Sequence, residues 1–253
     1  MSNKLKICIV IQARTGSKRL PNKVLKNFYN QKSILDLIVE KLIINFSNYP
    51  IILATSDCKN DSVLVDFAKK KNILYFQGNE SNVLLRFIDS VKDYDFTHII
   101  RICSDNPFLN MNAIQNLIDN LDSEDLDYIS YENAKGIPVI KTHLGLFAEI
   151  VSVKSLKKAN ELQNMQIYQE HVTNYIYGNP EIFKVKFLSS PEIVHKRDDI
   201  RLTLDDLEDF ENLENLYSKT FENHQDLFLL IKAIDANQTI KDKMINNIKK
   251  YTK

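Results

Sequence analysis

The sequence predicts an α/β fold of three layers, with a mostly parallel, mixed sheet covered by helices on both faces. Two observations predict it. Short β-rich apolar runs alternate with amphipathic, helix-spaced segments through the first half of the chain, the signature of successive parallel βα units. The polar residues able to do chemistry fall just after those runs, and open parallel sheets bind ligands outside the carboxyl ends of their strands. With 253 residues, 44% of them apolar, and no low-complexity linker or internal repeat, residues 1–253 read as a single packed domain.

The elements follow in order. Residues 7–11 form a strand that stops at a polar loop, and 33–44 a helix with Ser33 as N-cap. Residues 51–55 and 73–76 are strands flanking a helix at 62–71, and a third helix covers 82–91. A strand at 98–103, a helix at 112–121 and a strand at 128–131 complete the regular half. Beyond it, 145–153 reads as a strand leading into a helix at 155–163. Residues 170–177 read as a helix, 183–188 as a strand and 206–219 as a helix. The lysine-rich stretch 226–249 reads as one helix with a solvated polar face.

Composition excludes several functions. Lys plus Arg equals Asp plus Glu at 33 each, so there is no electrostatic footprint for nucleic acid. Cys8, Cys58 and Cys103 form no metal or disulfide pattern, and Cys8 and Cys103 read as buried small hydrophobes. No apolar run approaches a membrane span and no signal peptide is visible. A cytoplasmic location is therefore expected.

The loop after the first strand is the richest segment. From Arg14 to Lys23 it carries Arg14, Lys18, Arg19 and Lys23 around Gly16 and Ser17. Gly16 and Ser17 can offer backbone N–H groups to phosphate oxygens, Arg14 can fork onto two of them, and Lys23 is a mobile point charge. The spacing matches neither the P-loop nor the dinucleotide fingerprint. A solvated basic loop is the alternative reading.

The run Ile11-Gln12-Ala13-Arg14-Thr15-Gly16-Ser17-Lys18-Arg19-Leu20-Pro21-Asn22-Lys23-Val24-Leu25 resembles the opening signature of the cytidylyltransferase superfamily. It is most similar to spore-coat-polysaccharide (SpsF-like) proteins, relatives of the synthetases that activate Kdo and sialic acids with CTP. The resemblance implies a Rossmann-like fold of the nucleotide-diphospho-sugar transferase type, Mg²⁺ as cofactor, and a homodimer formed through residues 134–142. A region around 130–200 would serve dimerisation and the acceptor. It further implies that Ala13, Arg14, Gly16, Ser17 and Lys23 bind the nucleotide, with Arg14 and Lys23 also catalytic.

Later segments extend the resemblance. Arg101-Ile102-Cys103-Ser104-Asp105-Asn106-Pro107-Phe108 resembles the family's metal-binding element, which implies Asp105 as a metal ligand with Arg101 and Ser104 on the nucleotide. Arg201-Leu202-Thr203-Leu204-Asp205-Asp206-Leu207-Glu208-Asp209 resembles the element that completes the metal site, with Asp206 and Leu207 where Thr and Pro are usual. Asp205 is the favoured second ligand, Asp206 the alternative, and Asp206 can also serve as a helix N-cap with Asp209 in the first turn. Asn82-Val83-Leu84-Leu85-Arg86 is similar to the element placing Arg86 near the pyrimidine, Asn82 replacing Asp. Glu149 sits in a motif like the family's G-L-x-x-E, and Glu170 and His171 in one like its R-E-H-V-T, where Gln169 replaces Arg. Glu149, Glu170, His171 and Arg201 are thus implied on the acceptor side. Together these imply transfer of CMP from CTP to an acidic sugar or phosphorylated small molecule. The competing readings are a glycosyltransferase using a nucleotide sugar and a catalytically silent scaffold of the same fold.

Overall fold

The structure is a computed structural model and describes residues 5–121 and 125–251. In chain order the elements are β1 (Ile7–Gln12), β2 (Asn27–Tyr29), β3 (Lys32–Ser33), α1 (Ile34–Asn45), β4 (Ile51–Ser56), α2 (Ser62–Lys70), β5 (Leu74–Gly78), α3 (Val83–Ser90), β6 (His98–Cys103), α4 (Met111–Asp119) and β7 (Tyr128–Glu132). The second half has β8 (Glu149–Ser152), α5 (Val153–Leu162), α6 (Gln166–Glu170), α7 (Asn174–Tyr177), β9 (Val185–Ser189), α8 (Glu192–His195), α9 (Leu207–Thr220), α10 (Leu227–Asp235) and α11 (Gln238–Tyr251).

Seven strands form one sheet in the order β5-β4-β1-β6-β8-β7-β9. β1 pairs parallel with both β4 and β6, whereas β8 runs antiparallel to β6 and β7, making the sheet mixed. Cys8, Ile9, Val10 and Ile11 of β1 are fully buried, as a central strand covered on both faces requires. Their side chains divide between two cores, Ile9 and Ile11 on one face and Cys8 and Val10 on the other. The chain leaves β1 toward β4 on one side and returns at β6 on the other. The switch point therefore falls between β1 and β6, and the crevice there opens beneath the loops that follow those strands.

Helix caps fix where the elements begin. Ser33 and Asp36 form a capping box on α1, and Asn82 caps α3 by accepting from Leu85 N–H at 2.9 Å. Asp206 caps α9 by accepting from Asp209 N–H. Asn82 and Asp206 are two of the positions where the chain departs from the pattern it resembles, and each keeps the cap its element needs. Leu207 is the first helical residue, where proline is common but not required.

Three expected elements differ. Only Glu149–Ser152 of 145–153 is a strand. Gly145 has φ +59°, and a Cβ there would lie 2.6 Å from the Leu202 carbonyl carbon, so the chain turns against the Leu202 backbone before β8 begins. The helix expected at 170–177 is broken at His171–Thr173 into α6 and α7. The long helix expected at 226–249 is two, Asp226 capping α10 and α11 starting afresh at Gln238. Among the described residues no helix is long and apolar enough to cross a membrane.

Candidate active site

A cleft of about 700 Å³ lies at the switch point, lined by the β1 loop, Glu80, the β6 loop, Glu170, His171 and Asp205. The sequence order hides why Asp105 and Asp205 meet. Leu204 N–H donates to Asp105 O at 2.9 Å and Leu202 N–H to His143 O at 2.9 Å. Residues 202–204 are thereby stitched to the segment before β8 at His143 and to the β6 loop at Asp105, and the next residue, Asp205, is delivered to the cleft.

Lys23 joins the two carboxylates. Its ammonium donates to Asp105 Oδ2 at 3.0 Å and Leu204 O at 2.6 Å, and lies 3.6 Å from Asp205 Oδ1. Arg19 reaches the same Asp205 oxygen at 2.7 Å. Behind Asp205, Arg201 donates to its Oδ2 at 2.9 Å and to both oxygens of Asp209 at 2.7 Å. The Arg201 side chain is completely buried and is not part of the cleft wall. Where an acceptor contact was expected, Arg201 is placed as a brace for Asp205. His143 closes the brace by accepting at Nδ1 from Arg201 at 2.6 Å, and burial and that guanidinium depress its pKa, keeping it neutral.

The β1 loop is wrapped about its own Thr15. Ser17 N–H and Asn22 N–H donate to Thr15 O at 2.9 and 3.0 Å. The Ser17 amide is thus already engaged and the Ser17 hydroxyl oxygen accepts from Leu20 N–H at 3.3 Å, leaving the Gly16 backbone and the Ser17 hydroxyl proton for a ligand. Arg14 and Lys18 stand exposed at the rim.

Asp61, which no motif singled out, anchors this loop. It is almost fully buried and accepts from Thr15 N–H at 2.7 Å, Thr15 Oγ1 at 2.5 Å and Ser56 Oγ. The signal was the hydroxyl pair Thr55-Ser56 closing β4 with an acid five residues on. Burial pushes the Asp61 pKa up, but the Ser56 and Thr15 hydrogen bonds outweigh it and the net shift is downward. A depressed carboxylate contributes stability that is complete above the ordinary Asp range near pH 4 and fades as acid protonates the native state. Asp61→Asn is expected to cost about 2 kcal/mol at neutral pH. Thermal unfolding of both proteins from pH 7 to pH 3 checks this, the gap narrowing as pH falls.

Three further candidates lie beside the cleft, not in its wall. Glu149 is 1% exposed. Its carboxylate takes Arg101 Nη1, the Tyr128 hydroxyl and Thr173 Oγ1, which uses its acceptor capacity internally. Where an acceptor contact was expected, Glu149 is placed as the buried partner of Arg101, whose Nη2 donates to cleft residue Gln12 at 3.2 Å. Arg86 is also buried, not a surface helix residue. Its Nη1 donates to Asn79 O at 2.6 Å, while Nε and Nη2 have no partner among the described residues. Gln169 turns away, donating to Asn164 O at 3.2 Å. Cys8 is buried as expected, with its thiol pushed up to about 12. Cys103 instead lines the cleft, and burial of its thiol raises it to about 11.

A cytidylyltransferase family model matches residues 8–234. The chain belongs to the cytidylyltransferase family. It is 33% identical over 221 residues to the spore coat polysaccharide biosynthesis protein SpsF of Bacillus subtilis, covering 85% of this chain and 88% of that one. A cytidylyltransferase from Leptospira borgpetersenii superimposes with a TM-score of 0.80 at 27% identity, over 94% of this chain and 97% of that one. A CMP-2-keto-3-deoxy-manno-octonic acid synthetase solved with CTP shares the fold, with a TM-score of 0.61 at 15% identity over 85% of this chain and 99% of that one. This cytidylyltransferase is accordingly a nucleotidyltransferase whose cleft sits at the switch point of its sheet.

Proposed function

We propose that the protein transfers CMP from CTP to an oxygen of an acidic sugar or phosphorylated small acceptor, releasing pyrophosphate, in the synthesis of a surface polysaccharide. The observation that carries this reading is the meeting of Lys23, Asp105 and Asp205 in one cleft across 182 residues of sequence, a cation seated between two carboxylates.

That arrangement fits Mg²⁺. Among the described residues no cluster of three or more His, Cys, Asp or Glu side chains could hold a metal, so an all-protein cage is not what the site offers. Two carboxylates suit a hard ion that takes its other ligands from phosphates and water, and the Lys23 ammonium already sits between them, 3.0 Å from Asp105 and 3.6 Å from Asp205. Asp105 and Asp205 would hold the ion. When bound, Mg²⁺ would supply charge neutralisation at the triphosphate oxygens.

The chain's own groups do the rest. Arg14, Lys23 and the Gly16–Ser17 turn bind the phosphates; Lys23 exchanges its carboxylates for phosphate oxygens and follows charge onto the departing pyrophosphate. Arg86, whose buried Nε and Nη2 nitrogens have no hydrogen-bond partner among the described residues, is the candidate to read the acceptor edge of cytosine on movement of the 79–80 turn. Glu170 and His171, exposed where they line the cleft, meet the acceptor. In-line attack needs no covalent enzyme intermediate, and positioning with electrostatics provides most of the rate.

The test is pyrophosphate release across four nucleoside triphosphates and a panel of acidic sugars and phosphorylated alcohols. Release with CTP and one acceptor class is expected. Sugar transfer from a nucleotide sugar, with the nucleotide as leaving group and no pyrophosphate, would favour a glycosyltransferase instead. No thermal stabilisation by CTP and Mg²⁺ would favour a silent scaffold, because a ligand of the native state raises apparent stability.

A further inference from the structure

The family match ends at residue 234, so α11 lies wholly beyond it, and by sequence this helix is a solvated lysine-rich face. Its last turn instead reaches the cleft. The Tyr251 ring lies 4.7 Å from the guanidinium of Arg19 and 4.9 Å from that of Arg201. Those two arginines hold Asp205 by its two different oxygens. The Tyr251 hydroxyl donates to Asp206 Oδ2 at 2.6 Å, beside Lys250 Nζ at 2.8 Å, and Asn247 donates to Asp209 Oδ1 at 2.8 Å. Three residues of α11 thus grip the segment that presents Asp205.

The two arginines are held to different degrees. Arg201 is locked by its forked pair with Asp209. Arg19 stands on the cleft wall with its side chain 47% exposed. An exposed ion pair does little to fix so long a side chain. An aromatic face over the guanidinium adds attraction that survives when the carboxylate lets go.

We infer that Tyr251 is a positioning residue for the nucleotidyl-transfer site: its ring holds Arg19 at the mouth of the cleft, so that Arg19 can pass from Asp205 to an incoming triphosphate without leaving the ring. α11 is then a clasp supplied by this chain beyond the matched region. The inference rests on the CTP reading above, and its test separates the two.

Binding of CTP with Mg²⁺ to the wild-type protein is measured first by calorimetry. Tyr251→Ala is expected to raise the KM for CTP about tenfold while kcat changes little, the loss of roughly one cation–π contact. Tyr251→Phe, which keeps the ring and drops the hydroxyl, should restore most of the affinity. The protein has no tryptophan, so Tyr251→Trp places a sole indole under Arg19. Its emission should shift saturably as CTP and Mg²⁺ are added, without turnover. A normal KM in Tyr251→Ala, equal losses in the Ala and Phe variants, or flat indole emission in a protein that binds CTP would overturn the clasp alone. Absence of CTP binding by the wild type would overturn the CTP reading and the clasp with it.

Discussion

Lys23→Ala is expected to lower kcat/KM for pyrophosphate release by at least about 10²-fold, the usual loss when one preorganised charge contact is removed from a transition state. The geometry explains why the effect is large. The ammonium is 12% exposed and is held from three directions, by Asp105, Asp205 and the Leu204 carbonyl. It stands beside both carboxylates before a triphosphate arrives, and the neighbouring cation cannot take its place: Arg19 approaches Asp205 but not Asp105. Lys23→Arg should rescue poorly, since a planar fork does not replace a compact point charge between two carboxylates. The melting temperature should move little, because both carboxylates are partly open to water and such pairs stabilise weakly. Steady-state kinetics with thermal unfolding checks both halves. Near-normal turnover in Lys23→Ala would remove Lys23 from the site.

The regular half of the fold was legible because each element carries its own local signal. The apolar run of β1, Ser33 before α1 and Asn82 before α3 announce themselves in a few residues. The cleft was legible for the same reason, since its β1 and β6 loops follow strands directly. What was not legible depends on contacts distant in sequence. Gly145 ends an extended run because the Leu202 backbone lies against it. Glu149 leaves the cleft because Arg101, Tyr128 and Thr173 converge on it. Asp61 reads as an ordinary polar residue until Thr15 is folded onto it. Tyr251 falls past the helix read from the sequence, which stops at 249, and only the docking of α11 on α9 and the β1 loop gives it two guanidinium partners. Local propensity has no access to such pairs, whereas motif resemblance reached Asp105 and Asp205 but left Asp206 open.

The Asp205–Asp206 pair divides cleanly by experiment. Asp205→Asn is expected to lower turnover about 10²- to 10³-fold, because its carboxylate is the one on the cleft wall facing Lys23 and Arg19. Asp206→Asn should leave turnover within about threefold, since asparagine caps a helix as well as aspartate does. The Asp206 carboxylate faces the other way, accepting from Asp209 N–H, Lys250 and the Tyr251 hydroxyl. Burial works against its charge, but those three donors outweigh burial and hold its pKa far below the usual range. The consequence of Asp206→Asn should therefore appear in stability: a loss at neutral pH that shrinks as acid titrates the wild-type carboxyl, since a depressed carboxylate stabilises only while ionised. Turnover of both variants at pH 7, with unfolding followed from pH 7 to pH 3, separates the roles. A collapse of turnover in Asp206→Asn with activity kept in Asp205→Asn would reverse the assignment, and would require α9 to release its cap for Asp206 to reach the triphosphate.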